Sequence, residues 1–116
     1  MRYIMFVAVD PDPDRSSEPS LSVDEWFDQI NTEGTWVIGE RLRPVSEARL
    51  VRVRNGEVLV TDAAFTESKE WIAGFDVLEC DSIQEAVAIA AKHPMARAGR
   101  IEVREFWPLP GPDTEA

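Results

Sequence analysis

His93 is the only histidine in the chain, and an imidazole is the side chain best suited to move a proton near neutral pH. Its candidate partner is Asp76, which sits inside the apolar pattern Gly74-Phe75-Asp76-Val77-Leu78-Glu79-Cys80. A carboxylate in a central strand is costly unless it is paired or hydrated. Strand alternation puts Asp76 on the side of Leu78 and Cys80. From Asp76 to Cys80 the strand advances about 13 Å. The helix that follows returns antiparallel and covers about 15 Å, so its end at His93 lies level with Asp76. On one reading Asp76 orients His93, and the imidazole acts as general acid or base on a small ligand held between sheet and helices. On the other, His93 caps the helix end, where the dipole favours the protonated ring, and Asp76 binds a backbone amide or an arginine.

Two further groups carry charge in a pattern. Arg41, Arg43, Arg49, Arg52 and Arg54 fall in one stretch. Arg52 and Arg54 share a strand face, and Arg104 stands beside Glu102 on the last strand. Guanidinium groups grip carboxylates in forked fashion, which suits an anionic ligand or an acidic segment of a partner. The competing reading is a solvated face balanced by Glu57 and Glu102. Asp62, Glu67, Lys69 and Glu70 form the second group, on a polar connection pinned by Phe65 and Trp71 that has the makings of a cover for a pocket mouth. The candidate ligand-binding set is therefore Arg52, Arg54, Asp62, Lys69 and Arg104. One histidine and one cysteine argue against a zinc site. Cys80 reads as a small core residue rather than a nucleophile. The glycines are too scattered for a phosphate loop, and no nucleotide, flavin or haem motif is present, so no cofactor is expected. Trp26 and Trp36 fit core positions, and Trp107 suits a contact between subunits.

The 116 residues suit a single domain, with a formal net charge of −10 and a hydrophobic fraction of 44%. Such a surface repels phosphate backbones and anionic membranes, so neither nucleic acid nor membrane is an expected partner. A single cysteine excludes an intrachain disulfide and fits a reducing cytoplasm. The apolar run at the N-terminus is too short for a signal peptide or a membrane span.

These residues are positioned by a recognisable order of elements. Tyr3 to Val9 reads as a buried strand, stopped by Asp10-Pro11-Asp12-Pro13. Ser22-Val23-Asp24-Glu25 is a capping box, with Leu21 and Trp26 at the spacing of a hydrophobic staple. Trp26, Phe27 and Ile30 make the apolar stripe of a short helix that Gly34 terminates. Trp36 to Arg41 reads as a strand. Ala48 to Arg54 and Glu57 to Thr61 form a hairpin around Asn55-Gly56. Its register sets Val53 against Val58 and Val51 against Val60, giving one apolar and one mixed face, as in a half-solvated ribbon. Gly74 to Cys80 is a strand. Ser82-Ile83-Gln84-Glu85 opens a second helix that Pro94 ends, and Arg100 to Phe106 is the last strand. Right-handed crossovers put both helices on one side of the sheet. The expected fold is α+β: a ferredoxin-like βαβ(ββ)βαβ sandwich with an antiparallel sheet, spanning residues 1–107, followed by a flexible proline-rich tail over 108–116. The bare sheet face needs a cover, and a second copy supplies it, so a homodimer is expected.

Val58 to Glu70 resembles the segment that gives the YCII-related, or DGPF-type, domain one of its names, usually T-D-G-P-F-x-E-x-K-E. This chain carries Ala63-Ala64 where that family carries Gly-Pro. Gly74 to Cys80 is similar to the family's central strand. Lys92-His93-Pro94, Gly99 and Ile101 to Arg104 are similar to its C-terminal helix end and last strand. The resemblance implies a dimeric α/β barrel of ferredoxin-like subunits and assigns no reaction to most members. A few relatives act on small ring compounds through a His–Asp pair near the first helix, where this chain has no histidine, so that pair does not carry over. The expected function is binding of a small organic ligand, anionic or ring-bearing, in an internal pocket, with His93 and Asp76 available for acid–base chemistry. The alternative is a non-catalytic dimerisation or regulatory module, since the resemblance extends to domains attached to sigma-factor-type regulators.

Overall fold

A computed structural model describes residues 1–62 and 72–110. Its elements run β1 (Arg2–Val9), α1 (Val23–Thr32), β2 (Trp36–Arg41), a 3-10 turn (Val45–Glu47), β3 (Arg49–Arg54), β4 (Glu57–Asp62), β5 (Ile72–Glu79), α2 (Ile83–Ala91), α3 (Met95–Ala98) and β6 (Gly99–Glu105). The 3-10 turn and α3 are additions to the sequence expectation.

β1, β2, β5 and β6 form one antiparallel sheet in the order β2-β5-β1-β6. This is the ferredoxin-like α+β arrangement, with each of α1 and α2 inside a crossover between consecutive strands that are not neighbours in the sheet. Both helices pack on one face. Tyr3, Met5, Leu78 and Cys80 from the sheet meet Trp26 and Ile30 of α1 and Ala86 and Ala90 of α2 in a single core. Trp26, Tyr3, Met5 and Leu78 are the largest side chains fully removed from water.

Local chemistry sets the element ends. Ser22 accepts the amide of Glu25 at 3.1 Å, and the Glu25 carboxylate accepts the amide of Ser22 at 3.2 Å, so the capping box is complete. At α2 it is only half built. Ser82 accepts the amide of Glu85, but the Glu85 carboxylate accepts a hydrogen bond from the amide of Asp81 rather than from that of Ser82. Gly34, at φ +73°, closes α1 with paired bonds from its own amide to Asn31 and from Thr35 to Ile30, the two-bond ending that favours glycine.

The hairpin has the expected register, including Val53 opposite Val58 and Val51 opposite Val60. Asn55 and Gly56 both have positive φ, as a type I′ turn requires. What differs is its place. β3 and β4 form a separate two-stranded sheet, and neither makes an extended contact with any other described element. Its valine face, expected to be half-buried, is exposed: Val51 and Val58 keep 64% and 67% of their surface. The radius of gyration, 17.1 Å, exceeds the about 13 Å of a closely packed chain this long. No helix among the described residues is long and apolar enough to cross a membrane.

Candidate functional site

Between the sheet, the first turns of α1 and the corner joining α2 to α3 lies a cavity of about 420 Å³. Its apolar wall includes Trp26, Phe27 and Trp36. Phe27 and Trp36 meet edge to face with ring centres 4.8 Å apart. Trp26 is anchored by its indole N–H, which donates to the carbonyl of Ile89 at 2.9 Å. It thereby ties α1 to α2 and fixes the cavity's inner end. Asp24, Glu40 and Arg41, all exposed residues, also line it, together with Met95 and residues of β2 and β5.

Asp76 and His93 both line this cavity. Asp76 lies in β5 between Met5 of β1 and Gly39 of β2. The indole N–H of Trp36 donates to its Oδ1 at 3.0 Å. Gly39 makes that pose possible. A Cβ at position 39 would fall on the Asp76 carboxylate and within 2.8 Å of the Phe75 carbonyl. Burial pushes the Asp76 carboxyl above the usual carboxylate range, and the Trp36 bond offsets part of that rise.

His93 follows α2 and is 6% exposed. Its backbone amide bonds the Ala90 carbonyl, and its own carbonyl accepts from Ala96. The ring's Nδ1 accepts the backbone amide of Met95 at 3.0 Å, and the Trp26 ring meets it edge-on at 4.7 Å. Burial lowers its pKa. The expected preference of a helix end for the protonated ring is therefore reversed. Removal from water outweighs the dipole once the ring is this deeply enclosed.

No hydrogen bond joins Asp76 to His93. Each has a different partner, Trp36 for one and Met95 for the other. They share the cavity without forming the oriented pair that one of the two sequence readings gave them. Both retain an open atom. No buried side-chain nitrogen or oxygen among the described residues lacks a partner, and neither Nε2 of His93 nor Oδ2 of Asp76 has one, so both atoms reach open space. Both residues line the cavity.

The other expected site residues stand elsewhere. Arg52, Arg54 and Asp62 lie on the detached hairpin, where Asp62 pairs with Arg49 at 3.2 Å. Arg104 is on β6, exposed and 3.8 Å from Glu102. None lines the cavity. Lys69, with Glu67, Glu70 and the rest of the expected cover, falls outside the described residues. Of the arginine stretch, only Arg41 reaches the cavity. Cys80 is buried, its thiol facing the Ser82 carbonyl at 3.7 Å and pushed up in pKa by burial, consistent with a core residue. Trp107 is 96% exposed. Among the described residues no three His, Cys, Asp or Glu side chains gather at a metal-binding spacing. Three site features had no signal in the linear sequence: the Trp36 bond, the Gly39 cut-out and the Met95 amide. The first two become visible only once β2 is known to lie beside β5.

The model of the YCII-related domain matches residues 1–110. An uncharacterized protein of Rhizobium meliloti (strain 1021) is 38% identical over 66 residues, which cover 55% of this chain and 53% of that protein. The match thus spans about half the length of that curated relative.

Proposed function

The chain belongs to the YCII-related domain family, and on that premise we propose that it binds a small ring-bearing organic compound in the cavity beside α1 and offers Asp76 and His93 for acid–base chemistry on it. The observation that carries this reading is the convergence of two titratable groups, each with an open atom, on one aromatic-walled space of about 420 Å³. That volume is within the usual range for small-ligand sites, and burial displaces both groups from their ordinary pKa values, a pattern common at working sites. The arginines on the hairpin and on β6 lend no support to an anion in this cavity.

A thermal-shift screen over small aromatic acids, lactones and neutral ring compounds tests it, because a ligand that binds only the folded chain must raise Tm. The expected hit also moves the NMR signals of the single imidazole. If every compound that raises Tm leaves those signals in place, or if none raises it, the reading fails.

A second reading rests on a different observation. The valine face of the hairpin is uncovered, as suits an interaction element. We propose that a second copy of the chain covers it, making the protein a homodimer. The two readings are compatible, since the hairpin does not line the cavity.

A further inference from the structure

We infer that the roles in this cavity are divided: the backbone amide of Met95 fixes His93 as a hydrogen-bond donor through Nε2, and the indole of Trp36, with Gly39 opposite, fixes Asp76 as the proton-accepting carboxylate. This deepens the proposed function and rests on the same cavity. It reverses the usual expectation for such a pair, in which the carboxylate orients the imidazole and the imidazole takes the proton.

The geometry of His93 leaves little choice. A nitrogen that accepts a backbone N–H carries no proton of its own, and in a neutral imidazole the proton then sits on the other nitrogen. Nδ1 accepts from Met95 at 3.0 Å, so Nε2 carries the proton. Nδ1 cannot be protonated without breaking that bond and stranding the Met95 amide. The edge-on contact with Trp26 and the bonds on both sides of the His93 peptide hold the ring's place. α3 starts at Met95, directly after Pro94. Proline gives that turn a fixed φ, which brings the Met95 amide back over the ring two residues earlier.

Asp76 is held as firmly. Trp36 donates to Oδ1 at 3.0 Å, leaving Oδ2 for the cavity. The carboxylate lies over the backbone of β2 because residue 39 has no side chain. Asp76 is partly desolvated and has no cationic partner among the described residues, so it takes up a proton more readily than an ordinary carboxylate. A neutral imidazole donor facing a carboxylate base is a recognised division of labour in proton abstraction. A ligand that fits must present an acceptor atom to Nε2 of His93 and a removable proton to Oδ2 of Asp76. The proton then passes to the carboxylate, while Nε2–H stays on the imidazole and stabilises the charge developing on the acceptor atom. In this scheme the Met95 amide and the Trp36 indole N–H act as positioning groups, through His93 and Asp76.

The full chain with 15N-labelled histidine gives a direct test, because it has one imidazole. Other titratable groups around the cavity are Asp24 on α1 and Glu40 and Arg41 on β2. The expected spectrum at neutral pH is the Nε2–H tautomer, unchanged in Asp76→Asn. An Nδ1–H tautomer, a tautomer mixture, or a switch of tautomer on Asp76→Asn overturns the assignment to Met95 and restores Asp76 as the orienting group. Trp36→Phe keeps an aromatic ring against Phe27 and removes the indole donor. Its expected effect is an upward shift of the Asp76 titration, followed by 13C NMR of the carboxyl carbon, with the His93 tautomer unchanged. An unmoved Asp76 titration overturns the role given to Trp36. These readouts need no ligand, so this division of roles and the proposed binding function stand or fall separately.

Discussion

Burial acts in opposite directions on Asp76 and His93, raising the first pKa and lowering the second, and the two shifts leave opposite marks on stability. An imidazole whose folded pKa lies below its unfolded value of about 6.5 is protonated first in the unfolded chain. It costs nothing above that pH, and stability is lost as pH falls from 6.5 toward the folded pKa. A carboxyl whose folded pKa is raised is ionised first in the unfolded chain, so its cost is absent below about pH 4 and grows as pH rises through the folded pKa. Asp76→Asn keeps an acceptor for Trp36 and removes the charge. It is expected to melt above the parent at pH 7, with the gap closing as pH falls toward about 4. His93→Asn keeps an acceptor for Met95 and cannot titrate. Its Tm is expected to fall less than that of the parent between neutral pH and about 5. Melting curves across this range check both, and slopes of the opposite sign would refute the burial argument. The same residues mark how far the sequence reached. Strand alternation put Asp76 on the helix side, and strand and helix lengths brought His93 level with it, because both follow from fixed rises per residue. Their true partners were out of reach. Met95 reaches back from a one-turn helix that periodicity does not reveal, and Trp36 arrives from a strand remote in sequence.

At the scale of elements, close approach makes sharper predictions than propensity does. Gly39 lies where β2 passes over the Asp76 carboxylate, and the Phe75 carbonyl beneath it is backbone that cannot swing away. Gly39→Ala is expected to cost about 1 to 3 kcal/mol, the usual range for overpacking. Denaturant unfolding measures it, and a loss near zero would mean that β2 and β5 sit further apart than described. Gly34, at positive φ with nothing near its missing side chain, bears only the conformational cost. The two helix starts provide an internal comparison. Ser22→Ala breaks a reciprocal box and is expected to lower stability by about 1 kcal/mol. Ser82→Ala, where Glu85 bonds Asp81 whether or not the serine is present, is expected to cost less. Equal losses at the two sites would show that the reciprocal bond adds nothing. Both boxes were readable as a serine followed three residues later by a glutamate. The redirection of Glu85 was not, because the backbone angles ahead of the cap decide which amide a glutamate meets. The hairpin register was legible down to each pair, since a two-residue turn leaves no freedom. Its separation from the larger sheet was not, because period-2 alternation describes a strand's own faces and says nothing about what they meet.

That separation governs the whole molecule. A two-stranded ribbon is marginal in water by itself, yet here four valines occupy one of its faces, and among the described residues nothing packs on them. On the larger sheet, the side away from the helices carries Ile4 opposite Val77 and Phe6 opposite Phe75; Val77 is buried, Ile4, Phe6 and Phe75 are half-buried, and Ile38 at the neighbouring strand is 49% exposed. A chain of this size with an exposed apolar ribbon face loses part of the gain from folding unless a partner hides it. The basic stretch from Arg41 to Arg54, in a chain of net charge −10, makes the ribbon attractive to the acidic remainder of a second copy and less so to a cationic partner. Sedimentation velocity at tens of micromolar protein is expected to give a dimer. Val53→Asp with Val58→Asp places like charges opposite each other on the exposed face and is expected to give a monomer with an unchanged circular-dichroism spectrum. Because both residues are already in water, the fold has little to lose from the change. Net repulsion between copies predicts that added salt strengthens the association unless the arginine contacts dominate, in which case salt weakens it. A parent chain that stays monomeric at these concentrations, at low and high salt alike, would end the case for the ribbon as a self-association element and leave its valines to a different partner.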